Sequence, residues 1–254
     1  MSNTEIGCSG FCRRCGKEHS LRVGPAYQAC LELMAELENE GRIDKYRNAG
    51  QGDPRFSTSY LFGASRGKMF GVMVAMVPDG GRVVLRAFSG QYNGVWSVPG
   101  WVGPVFDLEE FHRVHDDEER KIKEMGRRVE EQTAGSQQQL ELIALRKQMS
   151  QQLMVNIHGL YRLHNFSGQV ASLQEIFLPD MGIPTGTGDC CAPKLLQYAA
   201  ENGLVPMGMA EFYWGQPNAS GSRQHGRFYS SCRTKCYPIL GFMLCGLQEE
   251  SWDG

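Results

Sequence analysis

Seven of the nine cysteines in this 254-residue chain are grouped. Cys8, Cys12 and Cys15 open the sequence, Cys190 and Cys191 are adjacent, and Cys232 and Cys236 stand four apart. Cys30 and Cys245 sit alone in apolar periodic stretches and read as small core fillers, the common fate of a free cysteine. Grouped thiols in a reducing compartment are metal ligands or nucleophiles, because the thiolate coordinates borderline-soft cations and attacks carbon. The odd cysteine count, and a start with no basic leader and apolar core, fit reduced cytoplasmic thiols better than a disulfide framework.

The two later groups share a pattern. Cys191-Ala-Pro193-Lys-Leu195 and Cys236-Tyr-Pro238-Ile-Leu240 both read Cys-x-Pro-x-Leu. Proline suits a helix start, where its missing N–H has no partner to lose, and a thiol just before it lies at the positive end of the helix dipole. Two such helices side by side would bring Cys190 or Cys191 together with Cys232 and Cys236 as a zinc-ligand set. Zinc-dependent nucleobase deaminases have a related order: strands, a helix carrying His or Cys with Glu two residues on, a strand, then a helix begun by Pro-Cys-x-x-Cys. The chain resembles that layout and departs from it twice. Ala192 and Pro193 stand where the glutamate belongs, and Cys232 and Cys236 are one residue further apart. Asp189 and Glu211 are the carboxylates that could replace the proton carrier, without which an activated water has no route for its proton.

At the other end, Cys8-x3-Cys12-x2-Cys15-x3-His19 offers four donors within twelve residues. Cys12-Arg-Arg-Cys15-Gly has the form of a zinc-knuckle turn, so Cys8, Cys12, Cys15 and His19 are expected to hold a structural zinc. The glycine loop 182–188 lacks the Lys-Ser/Thr of a phosphate-binding loop. A third group is basic and aromatic: Arg223, His225, Arg227, Tyr229, Arg233 and Lys235 fall within thirteen residues of an otherwise slightly acidic protein. Such a segment could hold phosphate and stack a base, making RNA a candidate partner, although an ordinary surface loop has the same composition.

The rest of the sequence must position these groups. With 26 Lys+Arg against 28 Asp+Glu, bulk basicity gives no reason to expect a nucleic-acid coat or a polybasic membrane binder. No run of about 18 apolar residues suggests a membrane span. Helical spacing predicts a helix from Pro25 to near Gly41, and 48–54 reads as loop. Runs 68–77 and 82–88 predict a β-hairpin with a central, doubly buried first strand, followed by a packed irregular loop to Phe106. From Asp107 apolar residues keep 3/4 spacing through a charged stretch, break at 133–136 and resume, predicting a coiled-coil-like helical hairpin over 107–165. That arm reads as structural, with a protein partner as the alternative. A helix over 193–202, a strand over 204–214 weakened by Pro206 and Gly208, and a helix over 238–247 complete the pattern.

Several strings resemble one known region. They are Lys68-Met-Phe-Gly-Val, Ala87-Phe-Ser-Gly90, Pro104-Val-Phe-Asp107, Gly188-Asp-Cys-Cys-Ala-Pro-Lys-Leu-Leu196, Ala210-Glu-Phe-Tyr-Trp-Gly215 and the run from His225 to Leu240. Together they resemble the N-terminal extension that precedes the catalytic domain in some RluA-type RNA pseudouridine synthases, over about residues 60 to 247. The catalytic His-Arg-Leu-Asp motif of those enzymes has no counterpart; Tyr161-Arg-Leu-His164 is a superficial echo. The resemblance therefore implies an RNA-modification context and not pseudouridine synthesis.

These observations predict an α/β (α+β) fold. A three-layer, deaminase-like core is split as 57–106 and 166–247, with the helical hairpin 107–165 inserted and the Cys/His cluster and first helix in 1–56. The leading functional expectation is a cytoplasmic zinc-binding accessory or RNA-binding protein of RNA modification. The alternatives are a divergent zinc-dependent nucleobase deaminase and a metal-free interaction module.

Overall fold

The structure, a computed structural model, describes residues 5–44, 52–177 and 182–247. Most of the loop expected at 48–54 lies outside the described residues. A hairpin of β1 (Ile6–Cys12) and β2 (Lys17–Arg22) leads into α1 (Ala26–Glu40). Strands β3 (Lys68–Met76) and β4 (Arg82–Phe88) follow, then α2 (Leu108–Glu130) and α3 (Gln137–His158). A small hairpin, β5 (Arg162–His164) and β6 (Val170–Ser172), runs into α4 (Leu173–Ile176). The chain closes with α5 (Cys191–Glu201), β7 (Val205–Trp214), β8 (Arg227–Tyr229) and α6 (Tyr237–Leu244). Among the described residues, no helix is long and apolar enough to cross a membrane.

The central sheet has the antiparallel order β4-β3-β7-β8. β3 is apolar on both faces because it is covered on both. Phe70, Val72 and Val74 face α1, whose Ala26, Ala29, Cys30, Leu33 and Leu37 pack on them. Gly71, Met73 and Ala75 face the opposite side, toward α5 and α6. Helices therefore lie on both faces of the sheet, which is three layers. α1 ends where expected: Gly41 adopts φ +64° and its amide caps the Leu37 carbonyl, a left-handed turn glycine takes without strain. Arg86 of β4 grips Glu36 of α1 with two hydrogen bonds of 2.6 and 3.0 Å.

β7 runs unbroken through Pro206 and Gly208. The pairing slips by one residue between Val74 and Ala75, so the residue without an amide donor meets an irregularity in the ladder. The loop 89–106 is packed by aromatics, with Trp101 against Phe70 and Phe88 and its Nε1 donating to the Ile43 carbonyl. α2 and α3 pack on each other. Asp107 and Ser136 cap them, each accepting a backbone amide three residues on. The base of the pair is held by a ring cluster in which Phe111 stacks on Phe106 and Phe106 meets Tyr161.

The N-terminal hairpin was not evident from the sequence. It docks on α6 through two glycines. A Cβ on Gly10 would lie 2.2 Å from the Gly241 amide nitrogen, and one on Gly241 would lie 2.2 Å from the Phe11 carbonyl carbon. Backbone meets backbone there, and no side chain can bend aside to make room. Gly241→Ala should cost about 1–3 kcal/mol of stability, read from urea unfolding. An unchanged unfolding midpoint would contradict this contact.

Candidate metal centres

Three cysteines stand at or just before the starts of α5 and α6. Cys190 caps α5 and Cys236 caps α6, with the Cys190 carbonyl accepting the Lys194 amide and the Cys236 carbonyl accepting the Ile239 and Leu240 amides. Cys232, on the loop entering α6, has its Sγ 3.3 Å from the Thr234 Oγ1 and is close enough to Cys190 and Cys236 for each thiol to shift the others. Among the described residues, the group whose ligand atoms lie close enough to share an ion is another one, the N-terminal cluster. Cys232 is driven far down by its contacts with Cys190 and Cys236, while the Cys190 thiol is held up by those same contacts and by burial. Cys190 and Cys232 are half-buried and Cys236 is buried.

Cys191 points elsewhere. Its side chain presses on the sheet, where a Cβ on Gly71 would be 2.5 Å from the Cys191 Cβ, and its Sγ lies 3.5 Å from the Met69 carbonyl. Of the two adjacent cysteines, Cys190 joins the thiol set and Cys191 packs the core. Adjacent residues of a helix start project about 100° apart, so one position cannot serve both ends.

Both expected carboxylates stand at this end of the sheet. Glu211, on β7, is only 3% exposed. Its Oε1 accepts the Ala192 amide at 3.0 Å, in the first turn of α5. Burial pushes its carboxyl up to about 7 despite that bond. Asp189 precedes Cys190; its Oδ1 accepts the Tyr161 hydroxyl at 2.5 Å and its carbonyl accepts the Gly90 amide. Burial raises Asp189, opposed by Tyr161 and the charges of Lys194 and Lys235. Tyr161 and Lys194 were not singled out from the sequence. A lysine within the apolar helix run Cys-Ala-Pro-Lys-Leu-Leu was the visible signal. Lys194 is 1% exposed, donates to the Phe88 and Gly90 carbonyls at 2.9 and 2.8 Å, and lies over the Phe88 and Trp96 rings.

The N-terminal cluster assembles with one member exchanged. Cys12, Cys15, His19 and Cys245 have ligand atoms that all lie within 4.8 Å of one another. The Cys15 Sγ and His19 Nε2 are 3.1 Å apart. Cys8 is not part of this group; it is buried beneath the hairpin in the core shared with α5 and α6. The cause is the strand. At about 3.3 Å per residue, Cys8 and Cys12 of β1 lie about 13 Å apart, too far to share one ion. Cys245, read from the sequence as a core filler, instead follows α6 and completes the group.

Most side chains of the basic segment are engaged with neighbouring groups. The Arg223 guanidinium lies 4.1 Å over the Tyr229 ring, and Arg233 lies over Tyr237. His225 packs on Trp214 and accepts the Gly215 amide. Lys235 donates to the Thr185 carbonyl at 2.9 Å, tying the 182–188 loop beside the thiols. Arg227 opens β8 and is exposed. Comparison with protein-family models, with curated proteins and with solved structures gave no match.

The buried ammonium gives a pH signature. Burial lowers Lys194 from 10.5 to about 8. Between those values the unfolded chain holds a proton that the folded chain has released, so stability must rise with pH across that window. Relative to Lys194→Met, the wild type should gain about 3 kcal/mol between pH 8 and 10.5, measured by denaturant unfolding of both proteins. A pH-independent difference would show an ordinary lysine.

Proposed function

We propose that this protein is a zinc-dependent hydrolytic deaminase acting on a nucleobase, with Cys190, Cys232 and Cys236 as metal ligands and Glu211 as the proton carrier. The observation that supports this is that Cys190 and Cys236 begin two helices and lie within electrostatic reach of each other, of Cys232 and of the buried carboxylate Glu211. Three thiolates suit zinc and leave one tetrahedral position open, the arrangement of catalytic sites; closed, four-ligand sets are structural. A zinc ion held there would lower the pKa of a water and make it a nucleophile near neutral pH.

The chain's own groups supply the rest. Glu211 takes the proton as the water oxygen bonds to the amine-bearing ring carbon, and returns it to the nitrogen, which leaves as ammonia. The Ala192 amide holds the Glu211 carboxyl in place. Tyr161 fixes Asp189, the carboxylate that would accept a hydrogen bond from the substrate amine. Glu211 comes from β7, whereas the deaminase pattern carries its glutamate on the ligand-bearing helix, so only the chemistry is common to the two. The resemblance to an extension of RNA pseudouridine synthases, and the cationic Arg233 and Lys235 flanking the thiols in sequence, favour a base carried in RNA.

The test pairs metal content with turnover. Cys232→Ser should lose one zinc equivalent. Glu211→Gln should keep it and reduce ammonia release from cytidine, adenosine or RNA oligonucleotides by a factor of about 10²–10⁴. Full turnover in Glu211→Gln would remove Glu211 from the chemistry. Zinc retained in Cys232→Ser, or no ammonia from any of these substrates with zinc bound, would contradict the proposal. In the last case salt-sensitive RNA binding lost in Arg227→Ala would favour an RNA-binding accessory protein.

A further inference from the structure

We infer that Cys12, Cys15, His19 and Cys245 form a second, structural metal site, and that metal bound there fixes α6 on the N-terminal hairpin and thereby holds the Cys232–Cys236 end in place. This stands independently of catalysis at the other thiols. Three sulfurs and one imidazole nitrogen, all within 4.8 Å, are a complete tetrahedral zinc set with no position left for water.

The hairpin turn is shaped for the purpose. Cys12 is the last residue of β1, and the chain reverses through 13–16 with the Gly16 amide donating to the Cys12 carbonyl at 2.9 Å. Gly16 has φ +70°, a conformation that strains any residue with a Cβ. That reversal sets Cys15 back beside Cys12 and within 3.1 Å of His19, on β2. Cys245 arrives from the far end of the sequence, at the C-terminus of α6, where its amide donates to the Phe242 carbonyl.

One ion would therefore join residues 233 positions apart, from Cys12 to Cys245. The same interface carries the Arg14 guanidinium over the Phe242 ring at 5.0 Å and the Tyr237 hydroxyl donating to Glu18 at 3.1 Å. Between the Gly10 and Gly241 backbones there is no side chain to interlock. A coordination bond at the end of the helix would add to the Arg14–Phe242 and Tyr237–Glu18 contacts and oppose sliding along the helix axis directly. α6 spans eight residues, about 12 Å at 1.5 Å per residue, so the site at its end and Cys236 at its start are two ends of one rigid rod.

The experiment uses the full chain and zinc alone as the probe. Cys245→Ser should bind one zinc equivalent fewer than wild type and melt at lower temperature, whereas Cys8→Ser should keep both equivalents. His19→Cys, which preserves a four-donor set, should keep the metal, a result that general damage to folding would not give. In Cys245→Ser the remaining zinc should bind about tenfold more weakly, as expected when the support of a ligand is loosened. Full zinc content in Cys245→Ser, or loss of zinc in Cys8→Ser, would overturn the site. Unchanged affinity for the remaining zinc would overturn the coupling. Cys232→Ser distinguishes the two centres: if it costs no zinc while Cys245→Ser does, the catalytic proposal fails and this one stands.

Discussion

Helix α6 is eight residues long and almost wholly apolar, too short to persist by its own hydrogen bonds, so its position has to be imposed from outside. Its apolar side chains sink into the core beneath α5, and its backbone lies against β1 at a pair of glycines. Its start carries Cys236 and its end carries Cys245. Both thiol groups therefore depend on one docking geometry, in which the absence of two side chains allows the closest approach. α5 repeats the device on the other side: Gly71 leaves the space that Cys191 occupies, and that packing sets where Cys190 emerges.

The ionisable groups behind the thiols are costly ones to bury. An unpaired charge in a protein interior is strongly disfavoured, and each buried ion here has specific partners. Lys194 has two carbonyls and two ring faces, Glu211 has a helix-terminal amide, and Asp189 has a tyrosine hydroxyl. Grouped around the start of α5, Asp189, Lys194 and Glu211 have their pKa values displaced by burial in one place. The arm of α2 and α3 reaches this region through Phe111, Phe106 and Tyr161, so the ring that fixes Asp189 is itself packed by the base of the arm.

Local signals were enough for the elements that contact defines least. Gly41 ended α1, Pro78 to Gly81 turned β3 into β4, and the break at 133–136 separated α2 from α3. The starts of α5 at Cys190 and of α6 at Cys236 were also legible, because Cys-x-Pro-x-Leu states where two helices begin. What the sequence hid was long-range. Nothing local to Cys245 says that a hairpin more than 200 residues earlier lies against it. Cys8 looked like a ligand because four-residue spacing suits a turn, and β1 is extended instead. Tyr161 and Lys194 gain their meaning only from Asp189 and the Phe88 and Gly90 carbonyls, which the fold alone supplies.

Zinc K-edge X-ray absorption of the purified full chain tests the central claim, two centres of mixed ligation, most directly. With zinc at both, the average first shell should hold three sulfurs at about 2.3 Å and one nitrogen or oxygen at about 2.0–2.1 Å. A shell without sulfur, or a four-sulfur shell with a single zinc per chain, would contradict it.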